Sequence, residues 1–157
     1  MTDTRIASTE TEPTYDTPDY DHSGPAPTFP EIDRPSITSP ESAFDLLRDM
    51  AGFEVEQCHM LVLDTKHRLI ERVLLSIGTV DHTFMAPREV YRAALLRDAS
   101  AIVLAHNHPS GDSEPSPDDR AVTRRLSSAG DLLGVRLLDH LVIGNPGWAS
   151  LARAGAL

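Results

Sequence analysis

Hydrophobic positions are sparse at the start of the chain and regular after it. Through residues 1–38 aliphatic side chains are almost absent, and Thr, Ser, Asp and Glu accompany six of the twelve prolines. Such a segment cannot bury enough apolar surface to offset the entropy of ordering it, so a disordered, Pro-rich acidic tail is expected over 1–38. A folded domain is expected over 39–157. It opens at SPESAFDLLRDMAG, where Ser39 is a candidate N-cap and Pro40 takes the first helical position. Phe44, Leu47 and Met50 recur at helical spacing, and Gly52 is the expected stop.

EQCHMLVL (56–63) reads as a strand, DTKH (64–67) as a turn and RLIERVLLSIGT (68–79) as the second strand of a hairpin. Pro87 opens a helix with Val90, Ala94 and Leu95 on one face. AIVLA (101–105) is short and wholly apolar, the pattern of a strand buried on both faces. SPDDRAVTRRLSSAGDLLG (116–134) predicts a helix, VRLLDHLVIG (135–144) a strand and NPG (145–147) a turn. The order α-β-β-α-β-α-β predicts an α/β fold, a mixed sheet flanked by helices.

Composition narrows the classes. A chain of 157 residues, 40% hydrophobic and 24% charged, has room for one globular domain with a real core. The net charge is −10, and residues 1–40, with eight acidic residues against Arg5 and Arg34, supply −6 of it. Neither part is basic, which disfavours a nucleic-acid partner. Cys58 is the single cysteine, so an internal disulfide and a cysteine-rich zinc finger are both excluded. The start MTDTRIASTE has no apolar h-region, and no run of 18 apolar residues occurs, so a soluble cytoplasmic protein without a membrane partner is expected. Nothing in the pattern fixes an oligomeric state.

The chemistry concentrates in LAHNHPSGDSEPSPDD, residues 104–119. If AIVLA continues as a strand, His106 and His108 point to one face with Cα atoms about 6.6 Å apart, close enough to share an ion, and Asn107 points the other way. Pro109, Ser110 and Gly111 then turn the chain. Asp119 stands three residues after Ser116, in the first turn of the next helix. Ser-x-x-Asp is equally the pattern of a capping box, and acidic residues such as Asp118 favour helix N-termini on electrostatic grounds alone. Two His and one Asp make three N/O ligands without thiolate, which describes an open catalytic zinc site with water in the fourth position. Water bound there has its pKa lowered toward about 7. A carboxylate outside the ligand set is then needed as general base, and Glu54, Glu56 and Glu71 are all candidates.

His106, His108, Pro109, Ser116 and Asp119 satisfy His-x-His-Pro, six residues, Ser, two residues, Asp. This resembles the JAMM motif of the JAB/MPN metalloprotease superfamily. With GT (78–79), PRE (87–89), AHNHPSGD (105–112), EPS (114–116) and LDH (138–140), the sequence over roughly 40–157 is similar to the RadC family of bacterial proteins. The resemblance implies one zinc ion on His106, His108 and Asp119, and hydrolysis of an amide or isopeptide bond in a peptide or protein substrate. Counting back from LVLD (61–64), it implies Glu56 as general base, and it implies that Ser116 supports the oxyanion. Many RadC sequences carry an N-terminal helix-hairpin-helix where this one has its acidic stretch, which weighs against the DNA-repair role that the family name encourages.

The remaining histidines read more plainly. His22 belongs to the tail, His59 alternates within a strand, His67 sits in the hairpin turn, and His82 replaces an expected small residue with no assigned meaning. Asp139 shares the alternation of Leu137, Leu141 and Ile143 and needs a partner if buried, either the free N–H of a ligating imidazole or an arginine. RAVTRR (120–125) reads as a solvated helix face. Three other functions compete: a non-catalytic metal-binding interaction module, DNA processing, and a mononuclear iron oxygenase with the same two-His, one-carboxylate set. The last is disfavoured by the alternation of strands with helices.

Overall fold

The structure is a computed structural model that describes residues 33–78 and 85–157. The expected tail lies outside the described residues up to position 32, as do His22 and His82. The chain engages the domain at Pro35, slightly before the expected start. The Pro35 carbonyl accepts from Leu69 N–H at 2.8 Å, and Ile37 is buried.

Helix α1 (Pro40–Asp45) has the expected Ser39 N-cap and Pro at its start. The single helix expected through Gly52 is instead two pieces, α1 and a 3-10 turn over Arg48–Gly52. The break exposes the Leu46 carbonyl to the Arg72 guanidinium at 3.0 Å, while Leu47 and Met50 both remain fully buried. Strands β1 (Gln57–Leu63) and β2 (Leu69–Ile77) form the hairpin. In its turn the Asp64 carboxylate accepts from the amides of Lys66 and Arg68 at 2.8 and 2.9 Å. Helix α2 (Pro87–Leu95) buries Val90, Tyr91 and Ala94, whereas Leu95 is exposed. Strand β3 (Ala101–Asn107) continues two residues beyond the apolar run and is buried throughout. Helix α3 (Pro117–Leu133) follows, ended by Gly134 at φ 70°, a left-handed position that glycine adopts without Cβ strain. Strand β4 (Arg136–Ile143) and the short edge strand β5 (Trp148–Ser150), unexpected from the sequence, complete the sheet.

The sheet is mixed, in the order β2-β1-β3-β4-β5. Strand β1 pairs antiparallel with β2 and β3, and β3 pairs parallel with β4 across the α3 crossover. Period-two alternation sends Cys58, Met60, Val62, Ile102 and Leu104 toward α2 and α3. Leu61, Leu63, Val103, Ala105, Leu141 and Ile143 face α1 and the 3-10 turn. One irregularity matters for function. Ile102 pairs with Leu137 but Val103 pairs with Asp139, so β4 carries an extra residue at Leu138. Such a bulge swaps the faces of everything beyond it. Asp139 therefore leaves the face of Leu137, and His140 takes the α2/α3 face opposite Leu104.

Candidate metal centre

The site forms where β3 ends. His106 is the next residue after Leu104 on the α2/α3 face, and it is fully buried. His108 follows on the same face, its amide donating to Ile143 O at 2.8 Å and so extending the parallel pairing by one residue. Gly111, at φ 87°, turns the chain; its amide donates to His108 O at 2.9 Å and its carbonyl accepts from Asn145 N–H at 3.0 Å. A side chain on Gly144 would collide with the Gly111 carbonyl, so the turn packs directly on the β4–β5 connection. The chain then returns to start α3 beside the histidines.

Ser116 caps α3 by a reciprocal box. Its hydroxyl oxygen accepts from Asp119 N–H at 3.0 Å, and its own amide donates to Asp119 Oδ2 at 2.7 Å. The Ser116 hydroxyl also donates to Oδ2, at 2.6 Å. Held this way, Asp119 presents Oδ1 to His106 Nε2 at 3.2 Å and Oδ2 to His108 Nε2 at 3.7 Å, with 3.1 Å between the two imidazole nitrogens. One ligand atom from each residue lies within 4.8 Å of the others. Ligands bonded to a tetrahedral zinc at ~2.0–2.1 Å lie about 3.3 Å from one another, so the residue types and spacings of this donor set are compatible with such an ion. Burial raises the Asp119 carboxyl, but the adjacent His106 and the Ser116 donors outweigh it and hold the group well below the usual carboxylate range.

A buried polar shell backs the ligands. His106 Nδ1 lies 2.8 Å from His140 Nε2, and His140 Nδ1 lies 2.6 Å from Thr123 Oγ1, which donates to Asp119 O at 2.6 Å. Burial, then the neighbouring His106, pushes His140 well below the ordinary imidazole value. His108 Nδ1 is 2.7 Å from the carbonyl of Asp112, so Asp112 serves through its backbone. The expectation that Asp139 pairs with a ligating imidazole or an arginine is corrected. Its carboxylate accepts from Ser150 Oγ at 2.6 Å and from the amides of His140 and Ala152 at 2.7 and 3.0 Å. The bulge at Leu138 gave the imidazole contact to the next residue, His140. Thr123, within RAVTRR, is fully buried and belongs to the site, while Arg124 and Arg125 are exposed as expected.

Among the candidate bases, Glu71 is taken by Arg97 at 2.6 Å. Glu54 is exposed and Glu56 half-buried. Cys58 pairs with His106, and Glu56 lies two residues earlier, just ahead of β1. Asn107, on the opposite face, pins this segment. Its amide oxygen accepts from Gln57 N–H at 2.8 Å, and its amide nitrogen donates to the carbonyls of Phe53 and Val55 at 3.3 and 3.1 Å.

Comparison with known proteins identifies the family. A family model described as RadC-like JAB domain matches residues 37–156. A UPF0758 protein of Symbiobacterium thermophilum is 40% identical over 137 residues, 87% of this chain and 58% of that protein. A UPF0758 protein of Alcanivorax borkumensis is 50% identical over 122 residues, 77% of this chain and 54% of that protein. The chain thus spans about half the length of the curated relatives it matches. Among the described residues no helix is long and apolar enough to cross a membrane. On the family match and the relatives together, the chain belongs to the RadC-like JAB domain family.

Proposed function

We propose that this chain is a zinc-dependent hydrolase of amide or isopeptide bonds, of JAMM type, acting on a peptide or protein. The observation that carries the reading is the convergence of His106 Nε2, His108 Nε2 and the Asp119 carboxylate at the end of β3, with no fourth His, Cys, Asp or Glu in the cluster among the described residues. Three ligands leave a position for reaction, as catalytic zinc sites do and closed structural sites do not. His106, His108 and Asp119 would hold the zinc ion, which would polarise the scissile carbonyl and acidify the attacking water.

Glu56 takes a proton from the attacking water as the water oxygen bonds to the carbonyl carbon, and returns it to the leaving amine as the C–N bond breaks. Its place just ahead of β1, two residues before the His106 partner Cys58, supports this role. Ser116 donates to the oxyanion of the tetrahedral species. Its proton is engaged with Asp119 Oδ2, so the role requires one bond rotation, after which Oδ2 keeps the Ser116 amide as a donor.

Zinc-loaded full-length protein assayed on a panel of fluorogenic linear peptides and branched isopeptide conjugates tests this. Glu56→Gln should lower the rate by about 10²–10⁴-fold with zinc binding retained. Wild type and Glu56→Gln equally inert on every substrate would sink catalysis and leave a metal-binding module.

A further inference from the structure

We infer that His140 and Thr123 are positioning residues that set the tautomer of His106, through a directed chain of hydrogen bonds closing on the backbone of Asp119. The inference rests on the metal-site reading of the same cluster and goes beyond it by assigning two residues outside the ligand set.

Its direction follows from which atoms can donate. The Asp119 carbonyl can only accept, so Thr123 Oγ1–H donates to it at 2.6 Å. The Thr123 hydroxyl proton is thereby used, and its contact with His140 Nδ1 at 2.6 Å must run the other way, from Nδ1–H to Oγ1. A neutral imidazole has one donor and one acceptor, so His140 Nε2 carries the lone pair. That lone pair faces His106 Nδ1 at 2.8 Å, and the proton between them therefore belongs to His106 Nδ1. His106 is left with Nε2 as its ligating nitrogen, the atom 3.2 Å from Asp119 Oδ1. His108 reaches the same state by a shorter route, since its Nδ1 can only donate to the Asp112 carbonyl at 2.7 Å.

The chain also ties two ligands together. It starts on the ring of His106 in β3, crosses β4 at His140 and ends on the main chain of Asp119 in the first turn of α3. His106, His140 and Thr123 have no exposed surface, so water does not compete for these bonds. Backing a ligand with a neutral imidazole, rather than a carboxylate, adds no negative charge behind the metal site. Partners of this kind orient a ligating imidazole, and losing them commonly costs 10–100-fold in metal affinity.

Two measurements on the full chain test the assignment. In the zinc-free protein, long-range ¹H–¹⁵N correlation spectra should place an exchange-protected proton on Nδ1 of both His106 and His140. A His106 whose Nδ1 carries no proton overturns the inference. Zinc affinity, read by competition with a chromogenic chelator, should fall about 10–100-fold in His140→Ala and in Thr123→Val. His140→Gln, which keeps one acceptor and one donor on a planar group, should recover most of that loss. Unchanged affinity in folded His140→Ala, or equal loss in His140→Gln and His140→Ala, also overturns it. If the wild type binds no zinc, the metal reading fails instead, and the position of the His106 proton still decides this assignment.

Discussion

Asp119 and Asp139 are carboxylates built to nearly the same plan on opposite faces of one sheet. Each accepts a serine hydroxyl at 2.6 Å, from Ser116 and Ser150 respectively. Each also accepts backbone amides, Asp119 from Ser116 and Asp139 from His140 and Ala152. The difference lies in how the donors are shared between the two oxygens. At Asp139 both oxygens are served by neutral donors, and no imidazole among the described residues contacts it. At Asp119 the serine donors gather on Oδ2, and Oδ1 is turned to His106. The first arrangement closes a corner of the fold where β4, β5 and the C-terminal turn meet. The second leaves lone pairs aimed at two imidazoles. Residue type does not separate these roles; the placement of donors does.

The comparison breaks most visibly if Asp139 is removed. Asp139→Ala strands a serine hydroxyl and two amides in the interior, and the expected loss is about 3–5 kcal/mol of folding stability, read from urea unfolding. The zinc stoichiometry of the folded fraction should stay unchanged. A loss under about 1 kcal/mol would show that Asp139 does not close the corner. Asp119→Asn should do the reverse. Asparagine keeps an acceptor for the Ser116 donors, so the zinc-free protein should lose less stability than Asp139→Ala does. Zinc at 100 times its dissociation constant should stabilise wild type by about 2.7 kcal/mol, and Asp119→Asn should lose nearly all of that gain in paired melts with zinc and with chelator. Equal stabilisation of both proteins would remove Asp119 from the ligand set.

Much of this contrast was legible in the sequence. Strand spacing predicted that His106 and His108 converge, the resemblance to the JAMM motif selected Asp119, and the Ser-x-x-Asp pattern predicted the capping box that holds Asp119 toward them. The capping box of Ser116 and the approach of Asp119 to the two histidines are one arrangement. What escaped was the shell behind it, and the cause is local. Strict alternation along VRLLDHLVIG puts Asp139 on the face of Leu137, but the extra residue at Leu138 inverts the strand, so the expected partner and its neighbour exchange faces. A bulge leaves little sequence signal, because each side of this sheet is apolar and Leu138 suits either. Thr123 was hidden for a related reason: the arginines around it mark a solvated face, and a helix turns by 100° per residue, so one buried threonine fits between them. Strand β5 is only three residues long, too short for alternation to register. The Leu46 carbonyl at the division of α1 from the 3-10 turn is taken by Arg72, which is 26 residues away and invisible to local spacing.

Smaller changes sharpen the comparison at the level of single hydroxyls. Ser150→Ala leaves Asp139 Oδ2 without its hydroxyl donor in a closed interior and should cost about 1–3 kcal/mol of stability. Ser116→Ala removes a helix cap near a more open site and should cost about 1 kcal/mol, with a fall in zinc affinity that Ser150→Ala does not share. Denaturant titrations beside chelator competition separate the two, and a matched loss of zinc affinity in both variants would end the distinction.

A third carboxylate, Glu41, marks the limit of this reasoning. It is bound by the Arg153 guanidinium at 2.9 Å, and that hydrogen bond, with lesser help from its own amide and Ser39, lowers its pKa from 4.5 to about 2. Because the folded value lies below the ordinary one, the pair stabilises the fold above pH 4.5 and that contribution fades as pH falls toward 2. Yet more than half of each side chain is exposed, at 55% and 54%, so solvent and salt screen the attraction. A carboxyl ¹³C titration of Glu41 should give a midpoint near 2 at low ionic strength, moving toward 4.5 in concentrated salt. Glu41→Gln should leave the melting temperature nearly unchanged in that salt. A midpoint indifferent to salt would mean that this exposed pair behaves like the buried ones, and that exposure does not set the strength of carboxylate interactions in this fold.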